Sequence, residues 1–265
     1  MQEYKLNKDQ FVTFVNLLNK LTAKYHTDIT IKDGLIRQSG DEVSVTYNID
    51  ISKIVAPFSL LYIAKVKDKM ASFIPLVNQQ VSDVSIFIDD NVWILKDSVS
   101  EYTNKMGLKK FMTTKFLGDE EYKTKINLGE QIFSYDLKKF IIDRITYYNT
   151  SISGNKLYLK FKDGKCMLKA ATSNNSQSVN FVSIDYDYDL AGIGAVCDQT
   201  FRLTQSDMIL TLYRRGGDIL DDYYLHQEFK VEDVPINTYT LFQIINKGEK
   251  NKDKDKEEST KEEEF

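Results

Sequence analysis

Apolar and polar positions follow two periods along this chain, and the switches between them mark its elements. Tyr4 to Leu6 reads as a short strand. Phe11, Phe14, Val15, Leu18 and Leu21 then recur at i, i+3, i+4, i+7 and i+10, which predicts an amphipathic helix over residues 8–24. On a helical wheel Lys20 and Lys24 fall opposite that stripe, with Thr13 and Asn16 also on the polar side. Asp28 to Ile31, a Lys32-Asp33-Gly34 turn and Leu35 to Arg37 predict a hairpin, because Asp-Gly supplies the positive φ that a tight turn needs. Val43, Val45, Tyr47 and Ile49 alternate with polar residues, the pattern of a strand buried on one face.

The same unit recurs. Residues 65–74 place Val66, Met70, Phe73 and Ile74 on one helical face, and residues 84–95 form a second hairpin around Asp89-Asp90-Asn91. A third copy begins at Ile132-Phe133 and predicts a helix with Leu137, Phe140, Ile141, Ile145 and Tyr148 on its apolar side. Its hairpin, Leu157 to Phe161 and Lys165 to Leu168, turns on Lys162-Asp163-Gly164, 130 residues after the first Lys-Asp-Gly. At that offset Ile29 aligns with Leu159 and Ile31 with Phe161, so strand register repeats along with turn chemistry, as expected of a duplicated domain. In the fourth copy Thr200 to Leu203 reads as a strand, Ser206 or Asp207 as a helix cap, and Met208 to Tyr213 as a short helix. Strands at 222–232 and 237–245 close it.

From Lys247 to Glu264 no apolar residue occurs, a composition that cannot offset its own ordering entropy and predicts a disordered acidic tail ending in Phe265. The last 19 residues hold six Lys and eight Asp or Glu, leaving 29 basic and 31 acidic residues in the body. Any basic surface is therefore local. No apolar run approaches the roughly 20 residues that span a bilayer, and the N-terminus lacks a signal-peptide pattern, so a cytoplasmic protein without membrane contact is expected. Cys166 and Cys197, with no second pair, argue against a zinc site or a disulfide framework and read as buried free thiols.

Chemistry-bearing patterns are absent. His26 and His226 cannot build a metal site without scattered partners. Asp185, Asp187 and Asp189 mimic the start of an EF-hand, but Leu190 and Val196 stand where glycine and glutamate are needed, so they read as a solvent face. Gly192-Ile193-Gly194 and Arg215-Gly216-Gly217-Asp218 are not phosphate loops. No catalytic residue, cofactor or metal is assigned.

Strand, helix, hairpin and strand, used twice in each of two halves, resembles the sliding DNA clamps, in particular the bacteriophage and PCNA-type polymerase processivity factors. Tyr4 to Asp9 running into the first helix, the Lys-Asp-Gly hairpins and Ser85 to Leu95 carry the resemblance over most of residues 1–246. It implies an α+β clamp fold: domains at 1–117 and 132–246, a linker at 118–131, the tail at 247–265, helices on one face of antiparallel sheets. It further implies a homotrimeric ring, non-enzymatic, that encircles duplex DNA without reading its sequence and serves a DNA polymerase and a clamp loader, in a host cytoplasm if the source is a phage. The abundant tyrosine, lysine and asparagine suit an AT-rich phage or its host. The hole would be lined by Lys20 and Lys24, Lys65 and Lys67, Lys138, Lys139 and Arg144, with Arg214 and Arg215 from the fourth unit. A partner groove near the linker and last strand maps onto Phe116 and Leu117 and onto Leu241, Phe242 and Ile244, with Phe265 as a further partner contact. A second reading stays open: the acidic tail with its terminal Phe is similar to the partner-recruiting tails of single-stranded-DNA-binding proteins, and under that reading Tyr and Phe of the body would stack bases. A third is an adaptor or structural protein.

Overall fold

Turn chemistry and alternation build two copies of one arrangement. The computed structural model describes residues 2–22, 29–32, 35–39, 45–50, 61–63, 83–89, 92–97, 101–105, 119–151, 156–171, 178–188, 190–195, 198–216 and 221–242. In the first half β1 (Gln2–Asn7), β6 (Asp83–Asp89), β7 (Val92–Lys96) and β8 (Glu101–Lys105) form a sheet in the order β1-β6-β7-β8. Strands β2 (Ile29–Lys32), β3 (Leu35–Ser39), β4 (Val45–Asp50) and β5 (Leu61–Ile63) lie in the order β5-β2-β3-β4.

The second half repeats both sets. Strands β9 (Glu130–Leu137), β14 (Met208–Arg215), β15 (Asp222–Val231) and β16 (Val234–Phe242) lie in the order β9-β14-β15-β16. The others, β10 (Lys156–Lys162), β11 (Lys165–Ala171), β12 (Ser178–Asp185) and β13 (Gly192–Ala195), lie in the order β13-β10-β11-β12. Helices α1 (Lys8–Thr22) and α3 (Lys139–Ser151) follow the first strand of each half. Helix α2 (Asp119–Ile126) sits between the halves, and α4 (Asp198–Leu203) precedes β14. No helix among the described residues is long and apolar enough to cross a membrane.

The halves are joined by backbone. Strand β4 pairs antiparallel with β16 from Val45↔Thr240 to Ile49↔Ile236, which fuses one set from each half into a single eight-stranded sheet. Strands β8 and β12, the counterparts of β16 and β4, end their sheets with one edge unpaired among the described residues.

The core is continuous across the repeat. Leu17, Leu18 and Leu21 of α1 are fully buried alongside Leu6, Ile86 and Ile49, each such side chain stabilising the fold by roughly 1.5–3 kcal/mol relative to exposure. Alternation along β15 sends Tyr223, Leu225, Phe229 and Val231 into this core, while Tyr224 joins a smaller cluster with Leu128 and Tyr239 on the opposite face. Tyr122 and Ile126 of α2 cover that cluster. Gly194 lets β13 approach β16: a Cβ there would lie 2.5 Å from the Phe242 ring.

Most predicted elements are present, and the Lys-Asp-Gly turn at 162–164 closes β10 to β11 with Asp163 at φ 52° and Gly164 at φ 69°. Burial pushes the Cys166 thiol up to about 12, as suits an inert buried thiol. Four expectations are corrected. In the fourth unit helix and strand are exchanged: 198–203 is helix α4 and 208–215 is strand β14. Strand β14 is apolar at Met208, Ile209, Leu210 and Leu212 although Ile209 is exposed, so its apolar run hides the alternation of a strand. Phe140, expected on the apolar side of α3, is exposed, and Ile142 faces the core in its place beside Ile145, which is buried as expected. Leu137, expected in that helix, ends β9. Asn48, expected on a solvent face, is 3% exposed because α2 lies over it. The expected helix over 65–74 and the last two positions expected of the first helix, 23–24, fall outside the described residues, as do Cys197 and the tail.

Candidate nucleic-acid interface

Two helices of the repeat are held at their first turns by different devices. At α1, Asn7 Oδ1 accepts from the Gln10 amide at 2.9 Å while Gln10 Oε1 accepts from the Asn7 amide at 3.1 Å, a reciprocal cap encoded locally. At α3 the preceding residue is Lys138, whose side chain has no acceptor, and the cap comes from across the sheet: Asp207 Oδ1 accepts from the Lys139 amide at 2.8 Å. That amide, then the Lys138 side chain, hold the Asp207 carboxyl below its ordinary range. Asp207 thus caps a helix as its residue type suggests, but a different one from the helix expected to follow it.

The loop that carries Asp207 is fixed in turn. Lys230 N donates to Ser206 Oγ at 2.9 Å and Glu232 N to Gln205 Oε1 at 2.7 Å, which pins the loop to the β15–β16 turn. Buried Gln227 donates to Thr200 Oγ1 at 2.8 Å and ties α4 to β15. Thr146 Oγ1 of α3 donates to the Phe201 carbonyl of α4 at 3.3 Å, bringing the two helices together.

Most of the candidate cations are already paired. Lys20 meets Glu232, whose carboxyl it holds low, and so links α1 in the first half to the β15–β16 turn in the second. Lys138 bridges Asp136 and Asp207, which raise its pKa in that order, and Lys139 pairs with Asp143 one turn along. Arg214 and Arg215, expected in the lining only by their place just after the helix read over Met208 to Tyr213, stand at the end of β14 and pair with Asp221 at 2.7 Å and with Asp222. Arg215 also donates to the Ile126 carbonyl at 2.9 Å and lies 5.3 Å from the Tyr224 ring centre, so it braces the face under α2 rather than the helical layer. Arg144 is exposed on α3. Two residues the sequence reading did not single out share that layer: Tyr147, 75% exposed on α3, and Arg202, exposed on α4. With Leu137 in β9, the buried side of α3 is set by Ile142 and Ile145, and Phe140, Arg144 and Tyr147 share the side opposite them. Lys24, Lys65 and Lys67 lie outside the described residues.

On the opposite face α2 straddles the joint. Asp119 accepts from Tyr239 Oη in β16 and from Asn48 Nδ2 in β4 at 3.3 Å, one carboxylate on strands from both halves. Burial pushes this carboxyl up, but the hydrogen bonds from Tyr239, Lys123 and Asn48 outweigh it and hold it below the ordinary range. His226 is buried beside it, stacked on Tyr239 with centroids 4.6 Å apart, and burial lowers its pKa. Of the expected partner groove, Leu241 is 38% exposed, whereas Phe242 packs into the core against Tyr223. Phe116, Leu117, Ile244 and Phe265 lie outside the described residues.

No family model matches the sequence, and no curated protein matches it. Solved structures do match in shape. PCNA of A. fulgidus, solved with the C-terminal region of FEN-1, superposes with a TM-score of 0.53 at 13% identity over 93% of this chain and 99% of that one. PCNA of Entamoeba histolytica gives 0.53 at 10% identity, over 90% and 97% of the two chains. The DNA polymerase III β subunit of Pseudomonas aeruginosa gives 0.53 at 11% identity, over 94% of this chain and 67% of that longer one. The chain has the sliding-clamp fold, with antiparallel sheets and few helices.

Proposed function

We propose that this chain is a DNA sliding clamp: a non-catalytic, ring-forming processivity factor that encircles duplex DNA and tethers a replicative polymerase. The β4–β16 joint carries this reading. The counterpart edges, β8 and β12, are left unpaired among the described residues, and pairing β8 of one copy with β12 of the next would repeat the in-chain joint head to tail. A head-to-tail contact whose rotation closes gives a ring. Three copies, six repeats, is the proposed closure, with domains at 1–117 and 132–246 and the α2 segment as their linker.

In such a ring the α1, α3 and α4 layer faces the hole, and topology retains the DNA, so weak, sequence-blind attraction to phosphate suffices. Exposed pairs such as Lys139–Asp143 contribute little and exchange readily for a phosphate, which leaves Lys20, Lys139 and Arg144 able to serve. The face under α2 with Leu241, together with Phe116, Leu117 and Ile244, is the proposed dock for polymerase and loader.

Light scattering across a dilution series at moderate salt tests the assembly. A concentration-stable species of about three times the 30.7 kDa chain mass is expected, followed by retention on circular but not linear DNA. A persistent monomer would sink the ring.

A further inference from the structure

Helix α3 carries an exposed stripe that ring closure does not explain. Phe140 is 64% exposed and Tyr147 75% exposed, and with Arg144 they occupy i, i+4 and i+7, opposite buried Ile142 and Ile145. Two large rings exposed on one helix face, with cations between and beside them, make a candidate binding surface. The helical rise sets them about 10 Å apart along the axis, with a guanidinium between. Arg202 adds a second exposed cation from α4, which is bonded to α3 through Thr146 and Phe201. Asp143 flanks the stripe beside Lys139, and because the two together carry no net charge, Arg144 and Arg202 set the sign of the stripe.

Flat apolar rings interleaved with cations fit a polyanion that offers flat apolar faces. We propose that this stripe binds single-stranded DNA, with bases stacking on Phe140 and Tyr147 while Arg144 and Arg202 hold phosphates. It rests on the assignment of this helical layer to DNA made above. A duplex keeps its base faces stacked inside the helix, so the rings reward only a strand whose bases are free. Inside a ring on DNA, such a strand is met where duplex gives way to template.

The test uses the full chain, a fluorescein-labelled 20-nucleotide oligo(dT) and a blunt duplex with as many phosphates, each titrated at several salt concentrations. Replacing both rings, Phe140→Ala with Tyr147→Ala, should weaken oligo(dT) binding about tenfold or more at every salt concentration and leave the salt slope unchanged. Duplex affinity should move less than about threefold, within the change expected when no stacking partner is lost. Arg144→Ala should instead flatten the oligo(dT) salt slope by about 0.7. The pair Phe140→Tyr with Tyr147→Phe keeps both rings and should keep the affinity. Wild-type protein that does not bind oligo(dT), or equal losses on both DNAs, overturns the proposal. Light scattering on the same samples separates the two readings. If the alanine pair lowers the mass of the assembly, the stripe is a contact between copies and the proposal fails. If wild type is monomeric yet loses oligo(dT) with the rings, the ring fails and the stripe stands.

Discussion

Helices α1 and α3 hold the same place in the two repeats and share almost nothing on their outward faces. Helix α1 buries Phe11, Phe14, Val15, Leu17, Leu18 and Leu21 and turns out Lys8 and Asp9, with Thr13, Asn16 and Lys20 half-buried. Helix α3 buries Ile142 and Ile145, with Ile141 and Tyr148 partly covered, and turns out Phe140, Arg144 and Tyr147. One is capped by its own sequence, the other by Asp207 from 68 residues away. The repeat fixes where a helix packs, not what it presents.

The largest contrast lies in the buried faces. Leu18→Ala should cost toward the upper end of about 2–5 kcal/mol, and Ile145→Ala toward the lower end, because half-buried Ile141 and Tyr148 can move into the gap. Equal losses in urea melts would mean that α3 is anchored as firmly as α1. The caps come next. Asn7→Ala should cost about 1 kcal/mol at any pH where the fold is intact. Asp207→Ala should lower the melting temperature by a few degrees near neutrality, and its effect should depend on pH. The folded Asp207 pKa is depressed, so its contribution is fully present above the unfolded value of 3.8 and is lost as pH falls through the folded value. A pH-independent deficit would remove Asp207 as an ionised cap. The smallest effect on stability belongs to the outward faces: replacing Lys24 and Lys139 with Glu should leave the melt within about 1 kcal/mol. Adding Lys20→Glu, which sets a second carboxylate against Glu232, should lower it further, and the triple replacement should impair processive synthesis. Unchanged processivity would release those lysines from the lining.

Local chemistry was legible in the sequence and environment was not. The hairpin at Lys162-Asp163-Gly164 needs only its own residues to turn, and the stripe of α1 needs only its period, so both could be read directly. Strand β14 was misread because Met208 to Tyr213 is apolar at almost every position, exposed Ile209 included, a run that fits either element. Asn48 is buried by a carboxylate 71 residues away, and no alternation along β4 could announce that. Of the lining candidates, Lys20, Lys139 and Arg144 do stand on α1 and α3, while Arg214 and Arg215 followed a misplaced helix to the wrong element. Most of their ion pairs were invisible because the partners, apart from Asp136 and Asp143, come from another element or loop. Phe140 was absorbed into an expected core and Tyr147 passed over, since aromatic residues on a helix usually pack.

The strand pairing between β4 and β16 has a further consequence for how such a molecule responds to dilution. A joint made within one chain forms at an effective concentration set by the connecting polypeptide and persists however dilute the protein becomes. In any assembly that alternates this joint with its intermolecular counterpart, every second seam is insensitive to concentration, and only the seams between chains obey mass action. Disassembly then has one kind of weak point, and an opening factor need recognise only that one.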